Sequence, residues 1–271
     1  MIDIHVHYFP QPLFEAIWRF FETRGHGLWP IHYKLHGKAH VETLVSFGVE
    51  RFTTLVYAHK PGLADYLNAY VLQAASADAR MLPFGTIFCG DGEVRHRARR
   101  MFEEDGFLGI KLHPFVSGEE VDDPRLFDAY EIMEAHDKVL ICHTGSGPVY
   151  DAKDGADRIS RVLTQFPRLK IVVAHCGAFE YCHYEALAEE HPTVHFDTAM
   201  NCVHTPVFPN SCPGREFFLR FQDRILYGSD YPNIPYPYDE QLKSLRALQL
   251  GEAVERKIFR ENAERLLALP I

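Results

Sequence analysis

Eight short runs rich in β-branched and aromatic residues recur along the chain, at 2–7, 51–57, 82–88, 107–113, 138–143, 169–175, 193–198 and 224–230. Stretches with helical periodicity separate them, at 62–79, 92–105, 124–136, 155–166 and 178–191, and two more near 239–249 and 251–268 close the chain. Strands that alternate with helices form parallel sheets, because each helix returns the chain to the start of the next strand and covers a sheet face. Eight such units predict an α/β fold, a single (β/α)8 TIM barrel, and barrels of this kind occupy about 250 residues. The 271 residues therefore predict one domain spanning 1–271.

Composition narrows the function. With 46% hydrophobic and 24% charged residues, the chain has core material for a globular fold and lacks the bias of disordered, collagenous or coiled-coil sequences. Lys plus Arg number 28 against 37 Asp plus Glu, so no bulk basic surface exists for phosphates and nucleic acid is not an expected partner. No apolar run reaches the roughly 18 residues of a membrane span, and Met1 leads straight into Ile2-Asp3-Ile4-His5. Neither a membrane partner nor a secretory leader is expected, and a cytoplasmic location is. The six cysteines, at 89, 142, 176, 182, 202 and 212, contain no C-x-x-C pair, which makes reduced thiols the default expectation. The outlying number is 16 His against 5 Met. Histidine is the commonest metal ligand and titrates nearest neutral pH.

Two connections exceed what a minimal barrel needs. Residues 8–37 carry Phe9, Phe14, Trp18, Phe20, Phe21, Trp29 and Tyr33, and residues 199–214 are rich in Pro, Asn and Cys. Both follow strand C-termini, the face on which barrel active sites are built, and both are read as active-site insertions. Trp18 and Trp29 are expected in the substrate pocket; the alternative is that the aromatics form a helix packed on the barrel rim.

The strand ends carry the chemistry. Asp3, His5 and His7 alternate onto one face of the first predicted strand, and Lys111 and His113 onto one face of the fourth. His143, His175, Asp197 and Asp230 stand at the ends of the fifth to eighth. Positions 111, 143 and 175 are evenly spaced, one βα unit apart, which predicts equivalent heights on consecutive strands. A His-x-His pair arises about once by chance in so histidine-rich a chain. Its placement on the first barrel strand, with imidazoles on the fifth and sixth and a carboxylate on the eighth, does not. Imidazoles and a carboxylate that converge suit one divalent metal ion, zinc first, with manganese, iron or cobalt also accommodated.

The runs I-D-I-H-V-H (2–7), G-I-K-L-H-P (109–114), I-C-H-T-G (141–145), V-V-A-H-C-G (172–177), Y-G-S-D-Y-P (227–232) and E-N-A-E-R-L-L (261–267) occur in this order. Together they resemble the metal-dependent amidohydrolase superfamily, in particular its amidohydrolase-2 branch, which includes aminocarboxymuconate-semialdehyde decarboxylase. The resemblance implies a distorted barrel with a metal site at its C-terminal mouth. Position by position it implies His5, His7, His143 and Asp230 as metal ligands and His175 as a catalytic histidine beside the metal. Lys111 stands where binuclear members carry a carboxylated lysine that bridges two metals. The amidohydrolase-2 branch implies one metal instead, with Lys111 as a cation that binds a substrate carboxylate. A salt bridge from Lys111 to Asp3 or a glutamate is the structural alternative. His113 is a further candidate for substrate binding.

Other residues receive plainer readings. Asp3 is expected to support the ligands from behind. Cys142 and Cys176 turn to the opposite face and pack as small buried thiols. Cys202, His204 and Cys212 match no standard zinc spacing, and Gly145-Ser146-Gly147 reads as a turn. His36 and His40 read as a solvent-facing pair, and His26 and His96 as surface residues. The reaction expected first is hydrolysis of a carbon–nitrogen or carbon–oxygen bond in a small, carboxylate-bearing substrate, with His175 and Asp230 exchanging protons. Amides, lactones and esters are the candidate groups. The alternative is non-oxidative decarboxylation, in which Lys111 engages the departing carboxylate. A third is a barrel that binds metal or a small ligand without turnover, but no ligand of the set is missing. No G-x-G-x-x-G follows a strand, which disfavours a dinucleotide-dependent oxidoreductase. The expected partner is a small molecule, and a homodimer is left open.

Overall fold

The computed structural model describes residues 1–24, 27, 29–146, 154–205 and 211–270. His26, Gly147 and positions 206–210 of the second insertion lie outside the described residues. Each of the eight predicted strands is present, most of them shorter than the pattern suggested. β1 (Ile2–Asp3), β2 (Arg51–Thr53) and β3 (Met81–Leu82) pair in parallel as one sheet. β4 (Phe84–Gly85), β5 (Gly109–Leu112), β6 (Val139–Cys142), β7 (Lys170–Val173), β8 (Val194–Asp197) and β9 (Ile225–Leu226) form a second. β3 and β4 are two halves of the third barrel strand, parted at Pro83, which has no N–H to donate to a ladder. Backbone bonds from Ile4 N to Tyr227 O (2.9 Å), Asp230 N to His5 O (2.8 Å) and His7 N to Tyr231 O (2.8 Å) join the first strand to the last. The result is a TIM barrel, closed but distorted at one strand.

α1 (Gln11–Arg24) and α2 (Gly37–Ser46) fill the first long connection. α3 (Leu63–Ala77), α4 (Val94–Arg99), α5 (Pro114–Ser117), α6 (Phe127–Ala135), α7 (Gly155–Gln165), α8 (Tyr181–Glu190) and α9 (Arg215–Arg220) follow the later strands. α10 (Tyr238–Ala247), α11 (Glu252–Arg256) and α12 (Asn262–Leu266) end the chain. α2 falls where no helix was expected, because its buried stripe of His40, Val41 and Leu44 is too short to stand out in the sequence. Among the described residues no helix is long and apolar enough to cross a membrane.

Ile2, Leu55, Phe84, Val139, Ile141, Val172 and Leu226 pack together inside the barrel, and Ala263, Leu266 and Leu267 from the C-terminal helix join them. This apolar interior leaves the opposite end for the polar strand tips. The register corrects one expectation. Lys111 pairs with Ile141, and Cys142 with Val173, so Lys111, His143 and His175 do not stand level. Barrel strands are tilted and staggered, so side chains one repeat apart climb toward the mouth instead.

Candidate metal centre and active site

The strand tips are organised around Asp197, the last residue of β8. Its Oδ2 accepts from His5 Nδ1 at 2.7 Å, and its Oδ1 accepts from the backbone N–H groups of His175 (2.9 Å) and Ala199 (3.0 Å). Burial raises the Asp197 carboxyl, but the charge and hydrogen bond of His5 outweigh it and bring it to about 2. Burial, reinforced by the Lys111 charge, lowers His5 to about 4. At neutral pH the pair is therefore a carboxylate and a neutral imidazole that donates from Nδ1, which leaves the Nε2 lone pair directed away from Asp197. Two more rings are held in the same way. His7 Nδ1 lies 3.3 Å from the Leu55 carbonyl oxygen, and His175 Nδ1 lies 3.0 Å from that of Ala199. A carbonyl only accepts, so both rings donate from Nδ1 and present Nε2.

These Nε2 atoms gather at Asp230. His7 Nε2 is 2.9 Å and His5 Nε2 is 3.7 Å from Asp230 Oδ1, and the ligating atoms of His5, His175 and Asp230 all lie within 4.8 Å of one another. Burial raises the Asp230 carboxyl, yet the close approach of His7 and the neighbouring imidazoles outweigh it and hold the group well below the usual range. Acceptors aimed at one another repel unless a proton or a cation lies between them, so the donor set fits a divalent metal. His175, implied beside the metal, falls within this cluster. His143 adjoins it, with Nδ1 3.2 Å from His175 Nε2.

Local backbone supports the convergence. His175 (φ 57°), Cys176 (φ 52°) and Asp230 (φ 67°) occupy the left-handed region, and the Asp197 carboxylate holds the first of these by its N–H. Gly228 is required for space: a Cβ there would meet His5 Cβ at 2.8 Å and Asp197 Cβ at 3.1 Å.

Lys111 is fully buried, with Nζ 3.4 Å from His5 Nε2, and burial lowers its pKa against the opposing pull of Asp197 and Asp230. The expected alternative of a salt bridge to Asp3 does not form. Asp3 accepts instead from the N–H groups of His5 and Ser229 (3.1 Å each) and from the Tyr238 hydroxyl (2.7 Å), and burial lifts its carboxyl to about 7. Asp3 thus ties the first strand to the last, while Asp197 takes the ring-orienting position.

The cluster forms the floor of a cavity of about 530 Å³. His5, His7, Lys111, His113, His143, His175, Asp230 and Trp29 all line it, and Phe9, Phe20, Phe21, Tyr57, Phe115 and Phe179 make its walls. Trp18 does not belong. On α1 the positions Leu13, Ala16, Ile17, Phe20 and Phe21 face the cavity, whereas Phe14 and Trp18, one turn apart, stack at 5.2 Å in the core. The rim-packing reading holds for that face of the helix and the pocket reading for the other.

Two further expectations change. A disulfide joins Cys202 to Cys212, so these two thiols are not reduced. The Cys202 N–H bonds to Ser211 O at 2.6 Å, which folds the second insertion back on itself and brings the sulfurs together. His40 is buried against Tyr8, Phe14 and Tyr231 rather than facing solvent, although His36 is exposed. Cys142 and Cys176 are buried as expected. Asp197, Tyr57 and Asn233 are site residues beyond those expected. The first was visible as a strand-end carboxylate; the other two carry no sequence signal.

The chain is thus a closed parallel barrel with a cluster of imidazoles and carboxylates at its mouth. The chain matches the family Amidohydro_2, the amidohydrolases, over residues 2–269, and it belongs to that family. A search of curated protein sequences finds no match. Among solved structures it is similar to an uncharacterized TIM-barrel protein from Bordetella bronchiseptica, at 24% identity and TM-score 0.75, with 99% of this chain and 98% of that one covered. It is similar to a 5-carboxyvanillate decarboxylase from Novosphingobium aromaticivorans, complexed with manganese and 4-hydroxy-3-methoxy-5-nitrobenzoic acid, at 17% identity and TM-score 0.72, covering 99% and 96%. A 2,6-dihydroxybenzoate decarboxylase from Rhizobium is similar at 18% identity and TM-score 0.71, covering 99% and 98%.

Proposed function

We propose that the protein is a metal-dependent, non-oxidative decarboxylase of a small planar carboxylate, aromatic or conjugated. The observation that carries this reading is the cavity itself: aromatic walls above a floor that holds Lys111, the imidazoles and Asp230. His5, His7, His143 and Asp230 would hold one divalent cation, zinc or manganese, with His175 against His143. When bound, the cation supplies Lewis acidity that polarises a substrate oxygen.

The chain's own residues do the rest. Lys111 pairs with the substrate carboxylate, and flat rings such as Phe9 and Tyr57 seat a planar body. The apolar walls exclude water, so the carboxylate loses hydration that a charge-dispersed transition state needs less. Carbon dioxide departs, its bonding pair stays on the substrate carbon, and a proton from His175 replaces it: R–CO₂⁻ + H⁺ gives R–H + CO₂. The decarboxylases that share the fold, one of them with bound manganese, support the reading. Hydrolysis would use the same donor set but needs water at the reacting carbon, which these walls oppose. Elemental analysis of the purified protein, with a screen of benzoates, conjugated diacids, amides and lactones, tests both. Carbon dioxide release from a carboxylate is the expected result; acid release from an amide or lactone without carbon dioxide would establish hydrolysis instead.

A further inference from the structure

The cavity exceeds what a single ring needs. At the roughly 30 Å³ that a water occupies in the liquid, its volume of about 530 Å³ holds about 18 non-hydrogen atoms, about twice those of a benzoate. One wall is suited to a particular kind of excess. Leu13, Ala16, Ile17, Phe20 and Phe21 of α1 line it at helical spacing, a strip about 12 Å long at 1.5 Å per residue. Glu15, Arg19 and Glu22, charged residues of the same stretch, take no part in the lining. Phe14 and Trp18 already anchor α1 in the core, yet on the cavity side Ala16 and Phe20 are exposed and Leu13, Ile17 and Phe21 only half-buried. Among the described residues four large hydrophobic side chains are exposed, and two of them, Phe20 (42%) and Phe179 (38%), stand on this cavity. Asn201 and Ser211 also line it, but their side chains are engaged within the protein. Asn201 Oδ1 accepts from the Tyr181 hydroxyl at 3.1 Å and Nδ2 donates to Ala199 O at 3.2 Å, while the Ser211 hydroxyl donates to Val203 O at 3.0 Å. Apolar surface left open in a concave wall, beside a floor that holds the charges, is the complement of a ligand with an anionic end and an apolar end.

We propose that the substrate is larger than a monocyclic acid: its planar carboxylate occupies the floor, and a second apolar group, a further ring or an alkyl chain, lies along the α1 strip. This inference rests on the reading of the cavity as a planar-carboxylate site. Burying such a group takes apolar surface of both partners out of water, and the strip holds no polar side chain that it would strand.

Calorimetric binding of benzoate, 4-butylbenzoate and 3- and 4-phenylbenzoate to manganese-loaded protein tests it. At least one extended acid binds wild-type protein about 30-fold or more tighter than benzoate, with one ligand per chain. Ile17→Asn, which places an amide in the strip, and Ala16→Trp, which fills the space beside it, each bring that ratio below about threefold. Arg19→Gln, off the cavity, preserves it. Thermal melts confirm that the variants fold. A ratio that survives Ile17→Asn or Ala16→Trp, one that is lost in Arg19→Gln, or one below about threefold in wild-type protein that binds benzoate, overturns the second apolar group alone. A dimer that Ile17→Asn dissociates would then assign the strip to another copy of the chain. Failure of wild-type protein to bind any of the acids overturns the planar-carboxylate reading, and this inference with it.

Discussion

His5, His7 and His175 at the barrel mouth and His40 on α2 are imidazoles of the same burial class, each at least nine-tenths withdrawn from solvent. Their surroundings differ in kind. His40 is enclosed by rings, with Tyr231 at 4.6 Å, Tyr8 at 5.4 Å and Phe14 at 5.9 Å, and burial drives its pKa to about 3. The mouth histidines each have an acceptor behind Nδ1, and their Nε2 atoms converge toward Asp230. The contrast teaches that burial of a histidine does not mark a site. A fixed tautomer aimed at a shared point does.

Four measurements would break or sharpen this contrast. Replacing His5 and His7 together by Ala should take the metal content from about one ion per chain to near none, as read by elemental analysis, whereas His40→Leu should leave it unchanged. Undiminished metal in the double variant would dissolve the distinction. Next in size, His175→Asn should lose about 10²-fold or more in turnover. Its metal content then decides whether His175 is a ligand, as its place in the cluster allows, or a proton carrier beside one.

Asp197→Asn tests the tautomer argument directly. An amide can turn an N–H toward His5 Nδ1 and free that ring to protonate Nε2, so metal affinity by calorimetric titration should fall about 10- to 100-fold. An unchanged affinity would mean that convergence of the rings suffices without Asp197. The smallest effect belongs to His40. Its folded pKa of about 3 lies below the ordinary 6.5, so its contribution to stability is complete above pH 6.5 and declines as pH falls toward 3. By pH 5 the loss is about 2 kcal/mol. His40→Leu should therefore show a shallower fall in urea-unfolding free energy between pH 7 and pH 5 than wild-type protein does. Equal slopes would show that His40 is not held neutral by its surroundings.

Much of the site was legible in the sequence because strand ends are local features. His143, Asp197 and Asp230 each terminate or closely follow a β-rich run and Lys111 lies near the end of one, and barrels place such ends at one mouth. The first insertion was less legible. Trp18 and Trp29 look alike in a linear aromatic stretch, but helical phase turned Trp18 into the core while Trp29 faces the cavity and bonds to Asn233 O at 2.9 Å. The disulfide was not legible either, because Cys202 and Cys212 meet only where the loop folds back.

The alternation of period-2 and period-3.6 patterns sufficed for the barrel, since each pattern is written within a dozen residues and the parallel connection leaves few ways to join them. The polar strand tips likewise followed from alternation alone. What only the tertiary structure decided is how those tips face one another. His5 takes its tautomer from Asp197, 192 positions away, and His7 from a carbonyl 48 positions away. The gap that Gly228 leaves between His5 and Asp197 exists only after the last strand closes on the first. Hydrogen-bond direction and ring tautomer depend on partners distant in the chain, and the stagger and closure of the barrel choose those partners.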